Sequence, residues 1–120
     1  MSHVTTHVLD TALGRPATGV PVRLERRAAG GAEATPGHAS WETVAQSSTN
    51  EDGRVPDFGP EQLSADTYRV VFDTAHYFDR TGQQGFYPEA TIAFHLTDED
   101  AHYHIPLLLS PFAFSTYRGS

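Results

Sequence analysis

The stretch His102-Tyr103-His104-Ile105-Pro106-Leu107-Leu108-Leu109-Ser110-Pro111 decides the fold. Extended backbone sends successive side chains to opposite faces. Tyr103, Ile105, Leu107 and Leu109 therefore share one face, which has to be the buried one, and His102 and His104 fall on the other beside Pro106 and Leu108. The same alternation runs through His3 to Asp10, where Val4, Thr6 and Val8 face one way and Thr5, His7 and Leu9 the other. Both segments thus carry histidines away from the interior. A face that combines Leu9, Pro106 and Leu108 with imidazoles is too apolar for ordinary solvated surface. It points to a second packing surface, between subunits, where histidines would line a shared cleft.

Short strand-like segments separated by turn chemistry fill the space between. A turn punctuated by Gly14, Pro16 and Gly19 leads into Val20 to Arg27, where Val20, Val22 and Leu24 oppose Arg23 and Glu25. Pro21 stands near the start of that run, where a missing ladder donor is tolerated. Residues 28–40 are small, glycine-rich and polar, and read as a surface loop. Trp41 to Ser47 is a further strand, Thr49 to Gly53 carries an Asp-Gly turn signal, and Pro56 to Ser64 reads as irregular connection. Thr67 to Phe72 is a strand with Tyr68, Val70 and Phe72 on one face. Asp73 to Gly82 departs from this pattern, with Ala75, Tyr77 and Phe78 at near-helical spacing between an Asp start and a Gly end, and predicts a short helix. Ala90 to Leu96, His102 to Leu109 and Ala113 to Tyr117 complete the set. Seven or eight short strands and one short helix predict an all-β sandwich of two sheets, a single domain over residues 1–120.

The formal net charge of -7, with no block of like charge, argues against a nucleic-acid or anionic-membrane partner. All eight basic residues are arginine, which excludes Schiff-base and general-base lysine chemistry. The absence of cysteine removes disulfides, thiolate catalysis and sulfur-ligated zinc, and fits a reducing compartment. The opening MSHVTTHVLD has no basic or apolar leader region, and no apolar run approaches the roughly 20 residues of a membrane helix. A cytoplasmic location is expected.

Histidines on strands are most often surface or interface residues, and that is the plain reading of His7, His102 and His104. Two alternatives stand beside it. An imidazole can act as a general base near neutral pH, and three histidines can hold zinc without any cysteine. Arg54, just after the Asp-Gly turn, is either a solvated rim residue or a fork donor to a planar, oxygen-rich ligand. His3, by the terminus, and His38, in the glycine-rich loop, read as solvated.

Three stretches, TTHVLDTALGRPATGVPVRLE (5–25), TNEDGRV (49–55) and HYHIPLLLSPFAFSTYRGS (102–120), resemble the hydroxyisourate hydrolases. The most specific part is Tyr117-Arg118-Gly119-Ser120, which closes the sequence after a histidine-bearing strand. The resemblance spans nearly the whole chain. It implies a transthyretin-like, immunoglobulin-like sandwich of two four-stranded sheets with one short α-helix. It also implies a homotetramer with active sites in a channel at the dimer–dimer interface. The implied reaction is cofactor-free and metal-free hydrolysis of 5-hydroxyisourate to 2-oxo-4-hydroxy-4-carboxy-5-ureidoimidazoline, in urate degradation.

Matched to the family motifs, His7, Arg54, His104 and Ser120 are the implied catalytic residues, and His7, Arg54 and Tyr117 contact substrate. His102 is a neighbour of that group. On this resemblance His104 and His7 position and activate a water, Arg54 binds the ring and steadies developing negative charge, and Tyr117 and Ser120 orient ligand or water. The main rival is a non-catalytic transthyretin-like carrier of a small ligand. Transthyretins lack the YRGS ending and the histidine constellation, and carry a lysine near the channel mouth, which this chain does not. A structural or adhesion sandwich would have no need of these residues together.

Overall fold

The computed structural model describes residues 2–28 and 40–120. These residues form eight strands: β1 (Val4–Asp10), β2 (Arg15–Pro16), β3 (Pro21–Arg27), β4 (Trp41–Ser48), β5 (Asp66–Phe72), β6 (Ala90–Leu96), β7 (Tyr103–Ser110) and β8 (Ala113–Thr116). One helix, α1 (Thr74–Arg80), lies between β5 and β6. The strands make two four-stranded sheets, ordered β2-β1-β7-β8 and β4-β3-β5-β6. The expected all-β sandwich is therefore the architecture found. The surface-loop reading of residues 28–40 and the solvated reading of His38 fall on residues 29–39, outside the described residues. At its edges, the Ala28 amide donates to the Ser40 carbonyl at 2.9 Å.

Burial follows the alternation in sequence. Val4, Thr6, Val8 and Asp10 of β1 are buried while the residues between them are half-exposed. On β7, Tyr103, Ile105, Leu107 and Leu109 face the core together with Val22, Leu24, Tyr68, Val70 and Phe72 of the other sheet. Each fully buried aliphatic or aromatic side chain of this kind contributes on the order of 1.5–3 kcal/mol. β1 and β7 pair in parallel, the single parallel pairing among the described strands, with Thr5 beside His104 and His7 beside Pro106. That register places both histidine-bearing segments side by side on the outer face of one sheet.

The helix forms as its boundaries predict: the Asp73 carboxylate accepts the His76 amide at 3.1 Å, and Gly82 follows the last turn. Thr74, Tyr77 and Phe78 are its buried residues, whereas Ala75 is exposed. The Tyr77 hydroxyl donates to Asp10 Oδ2 at 2.6 Å, and the Ala12 and Leu13 amides donate to Asp10 Oδ1. Burial pushes the Asp10 carboxyl up, but these bonds, with one from Gln83, outweigh it and hold it below the usual range. The Tyr77 phenol is driven up by burial and by the same carboxylate. α1 is thereby bolted to the end of β1.

Two expectations are corrected. His3 is not solvated: it is 5% exposed, its Nδ1 accepts the Leu63 amide at 2.8 Å, and its Nε2 donates to the Ala101 carbonyl at 2.7 Å. Both partners are remote in sequence, so nearness to the terminus was no guide. Glu25, expected on the outward face with Arg23, is buried beneath guanidinium groups: Arg23 Nε lies 2.9 Å and Arg69 Nε 2.6 Å from its oxygens. Burial raises its carboxyl, and the two arginines more than reverse that, leaving it below the ordinary value. The register against β4 also shifts between Leu24 and Glu25, breaking the strict alternation.

Candidate active site

The turn that carries Arg54 is built by its own side chains. Asn50 Oδ1 accepts the amides of Asp52 and Arg54, at 2.9 and 3.1 Å, and the Asn50 amide donates to the Arg54 carbonyl at 2.7 Å. Gly53 completes the turn at φ 75°, a left-handed conformation that favours glycine. Its carbonyl accepts the Val8 amide at 2.7 Å, which seats the turn on β1. A side chain on Gly53 would also crowd Pro16 and His7, at 3.2 and 3.3 Å. A bridge between His7 and Arg54 then brings these two residues together.

The tail is held on the opposite side. The Gly119 amide donates to the His104 carbonyl at 2.9 Å, and the Arg118 guanidinium lies 4.5 Å above the Tyr103 ring. These contacts run the tail alongside β7, antiparallel to it at His104.

Between the turn and the tail lies a cavity of about 610 Å³. Arg54, His104, Tyr117 and Ser120 all line it, with His102, Thr5, Thr6, Asn50, Val55, Pro56 and Gly119. Four of the five residues implied by the family motifs therefore meet in one place. His7 is not among the lining residues. Its Nε2 donates to the Asp52 carbonyl at 2.8 Å. Tyr117 is exposed, 59% accessible, so this side of the site is open.

Within the cavity, Thr5 Oγ1 lies 2.8 Å from His104 Nδ1 and 2.8 Å from His102 Nε2. Burial lowers the His104 pKa below the ordinary histidine value, and the positive charge of Arg54, with His102 and His7, lowers it further. The His104 imidazole is thus neutral at neutral pH and able to accept a proton, next to a guanidinium able to hold an anion. Thr5, Asn50 and Gly119 escaped notice as site residues in the sequence. The alternation that put Thr5 on the His7 face was the signal for the first of them.

A second cavity of about 600 Å³ lies beside α1, lined in part by Phe78, Phe86 and Phe112, with His76 and Asp79 its titratable groups. It lacks a converging set of base, cation and hydroxyls. Among the described residues no group of three His, Cys, Asp or Glu side chains has the geometry to hold a metal ion. His102 and His104 instead direct ring nitrogens at one hydroxyl.

A family model described as the HIUase/Transthyretin family matches residues 4–119. The 5-hydroxyisourate hydrolase of Mus musculus is 44% identical over 120 residues, covering 99% of this chain and 96% of that protein. The solved 5-hydroxyisourate hydrolase of Klebsiella pneumoniae superposes with a TM-score of 0.82 at 36% identity, over 100% of both chains. Transthyretin from Sparus aurata superposes with a TM-score of 0.87 at 29% identity, over 99% of this chain and 97% of that one. The backbone alone therefore does not separate a hydrolase from a transthyretin; the side chains in the cavity have to.

Proposed function

This chain belongs to the HIUase/Transthyretin family, and from that premise we propose that it hydrolyses 5-hydroxyisourate to 2-oxo-4-hydroxy-4-carboxy-5-ureidoimidazoline in urate degradation. The observation that carries this reading is the convergence of Arg54, His104, Tyr117 and Ser120 on one cavity. Hydrolysis of a cyclic amide needs a water deprotonated, an oxyanion held and the departing nitrogen protonated. His104, kept neutral by burial and the Arg54 charge, takes the proton of the water. Arg54 binds the oxygen-rich ring and stabilises the charge that develops as water adds to the carbonyl. The protonated His104 then returns its proton to the ring nitrogen as the C–N bond breaks. His7, bridged to Arg54 and bonded to the Asp52 carbonyl, steadies the turn that carries Arg54, and the hydroxyls of Tyr117 and Ser120 orient substrate.

The reading includes a single domain over residues 1–120, a homotetramer whose subunits close the open side of each site, and a cytoplasmic location. Exposed Leu13, Phe86, Phe112 and Tyr117 support self-association. Light scattering on the purified protein is expected to give four subunits; a monomer at working concentration would remove that element.

The test of function is a coupled ultraviolet assay. Urate oxidase generates 5-hydroxyisourate, and its disappearance is followed above the spontaneous background. The wild type is expected to accelerate decay, and His104→Asn to lose about 10²-fold or more, the scale of a general base. Background decay with folded wild-type protein would overturn the hydrolase reading in favour of a transthyretin-like carrier.

A further inference from the structure

Thr5 sits on β1 directly beside His104 of β7. Its hydroxyl is 2.8 Å from His104 Nδ1 and 2.8 Å from His102 Nε2. A hydroxyl has one proton to give, so Thr5 cannot donate to both rings. The Thr5 oxygen can accept from two N–H groups, so with neutral rings either both donate to it, which leaves His104 as the Nδ1–H tautomer, or one donates and the other accepts the Thr5 proton. Where Thr5 gives its proton to one ring, the three groups form a chain with a single direction, and that direction fixes the tautomer of each histidine.

Because Nδ1 of His104 is taken up by Thr5, Nε2 is the nitrogen left to meet a ligand. The sense of the chain then decides what that nitrogen does. If His104 Nδ1–H donates to Thr5 and Thr5 donates to His102 Nε2, His104 presents a bare Nε2 and can accept a proton. If the chain runs the other way, Nε2 carries a hydrogen and can only donate. The nearby Arg54 charge, which burdens the protonated form of His104, also favours a lone pair over an N–H on the ring's cavity side.

We propose that Thr5 is a positioning residue whose hydroxyl, anchored by His102, holds His104 as the Nδ1–H tautomer so that its Nε2 is bare toward the cavity. No bond to carbon is made or broken in this role. His102 serves as the terminal acceptor of the chain. The proposal rests on the hydrolase reading for its catalytic consequence, but not for the tautomer.

The experiment is long-range proton–nitrogen NMR of the histidine rings in ¹⁵N-labelled wild type, Thr5→Val and Thr5→Ser, at about pH 8, where an unperturbed imidazole is neutral. It is paired with steady-state hydrolysis by the same samples. Wild type and Thr5→Ser are expected to show His104 protonated on Nδ1. Thr5→Val, of nearly the same shape but without a hydroxyl, is expected to shift His104 toward the Nε2–H form. Its kcat is expected to fall about 10-fold or more, with KM within about twofold, because a mis-set general base loses part of its contribution. Thr5→Ser is expected to retain most of the rate. Nε2–H on His104 in the wild type overturns the proposal, as does a Thr5→Val protein with unchanged tautomer and kcat. Wild-type protein that shows the Nδ1–H ring yet hydrolyses nothing sinks the hydrolase reading and leaves the tautomer assignment standing.

Discussion

Replacing Gly119 by alanine tests whether the tail and His104 act as one unit. A Cβ built on Gly119 overlaps His104 Cδ2 outright and lies 3.1 Å from Cγ and 3.2 Å from Cβ of that residue. Carbon atoms rest at about 3.5–4.0 Å, so ring and tail must part by roughly 1 Å. Two ways of parting exist. The imidazole can swing and give up its 2.8 Å contact with Thr5, or residues 117–120 can lift and give up the 2.9 Å bond from the Gly119 amide. Either moves a reacting group by an amount that costs about 10²-fold in rate, or about 2.7 kcal/mol of transition-state stabilisation. Folding stability should change far less, because a single net hydrogen bond is worth about 1 kcal/mol. In the coupled assay Gly119→Ala is expected to lose about 10²-fold in kcat/KM while melting within roughly 6 °C of wild type. Wild-type turnover by Gly119→Ala would refute the reasoning.

Two further outcomes follow from the electrostatics. The acid limb of kcat/KM is expected below the ordinary histidine value of about 6.5, because burial and Arg54 hold His104 unprotonated to lower pH. Arg54→Gln should move that limb upward as well as reduce the rate, and an unmoved limb would show that Arg54 does not bear on His104. The same depression means the unfolded chain takes up this proton first, so His104 lowers stability as pH falls through about 6.5 toward its folded value. Tyr77→Phe removes the 2.6 Å bond to Asp10 and is expected to cost about 1.5–3 kcal/mol, read by denaturant melts. Asp10, held below its usual range, stabilises the fold above about pH 4 and loses that contribution as pH falls further. Tyr77→Phe should weaken this acid dependence, and a melt indistinguishable from wild type would sink the claim.

The strands and the helix were legible because their signals are local. Tyr103, Ile105, Leu107 and Leu109 alternate with outward residues over eight positions, and Asp73 and Gly82 mark both ends of α1. The face of each histidine on β1 and β7 came with the same alternation. What stayed hidden depends on contacts across the chain. His3 is buried by Leu63 and Ala101, and Glu25 by Arg69 on a neighbouring strand. Thr5 gains significance when the parallel pairing of β1 with β7 sets it beside His104, and no single window of sequence contains both. His7 illustrates the same limit: its face was readable, but its ring turns toward Asp52 rather than into the cavity.

The β1–β7 pairing joins residues 99 positions apart. Closing a loop of that length costs about 4 kcal/mol in chain entropy before any contact repays it, and such non-local sheets fold in milliseconds to seconds. During synthesis, at about 5–20 residues per second, β1 waits roughly 5–20 seconds for its partner to emerge. Until then the chain has a histidine strand without a mate, an arginine turn with an incomplete seat and no tail to fold back. A chain cut short before β7 lacks His104, Tyr117 and Ser120, and with them most of the groups that converge on the cavity.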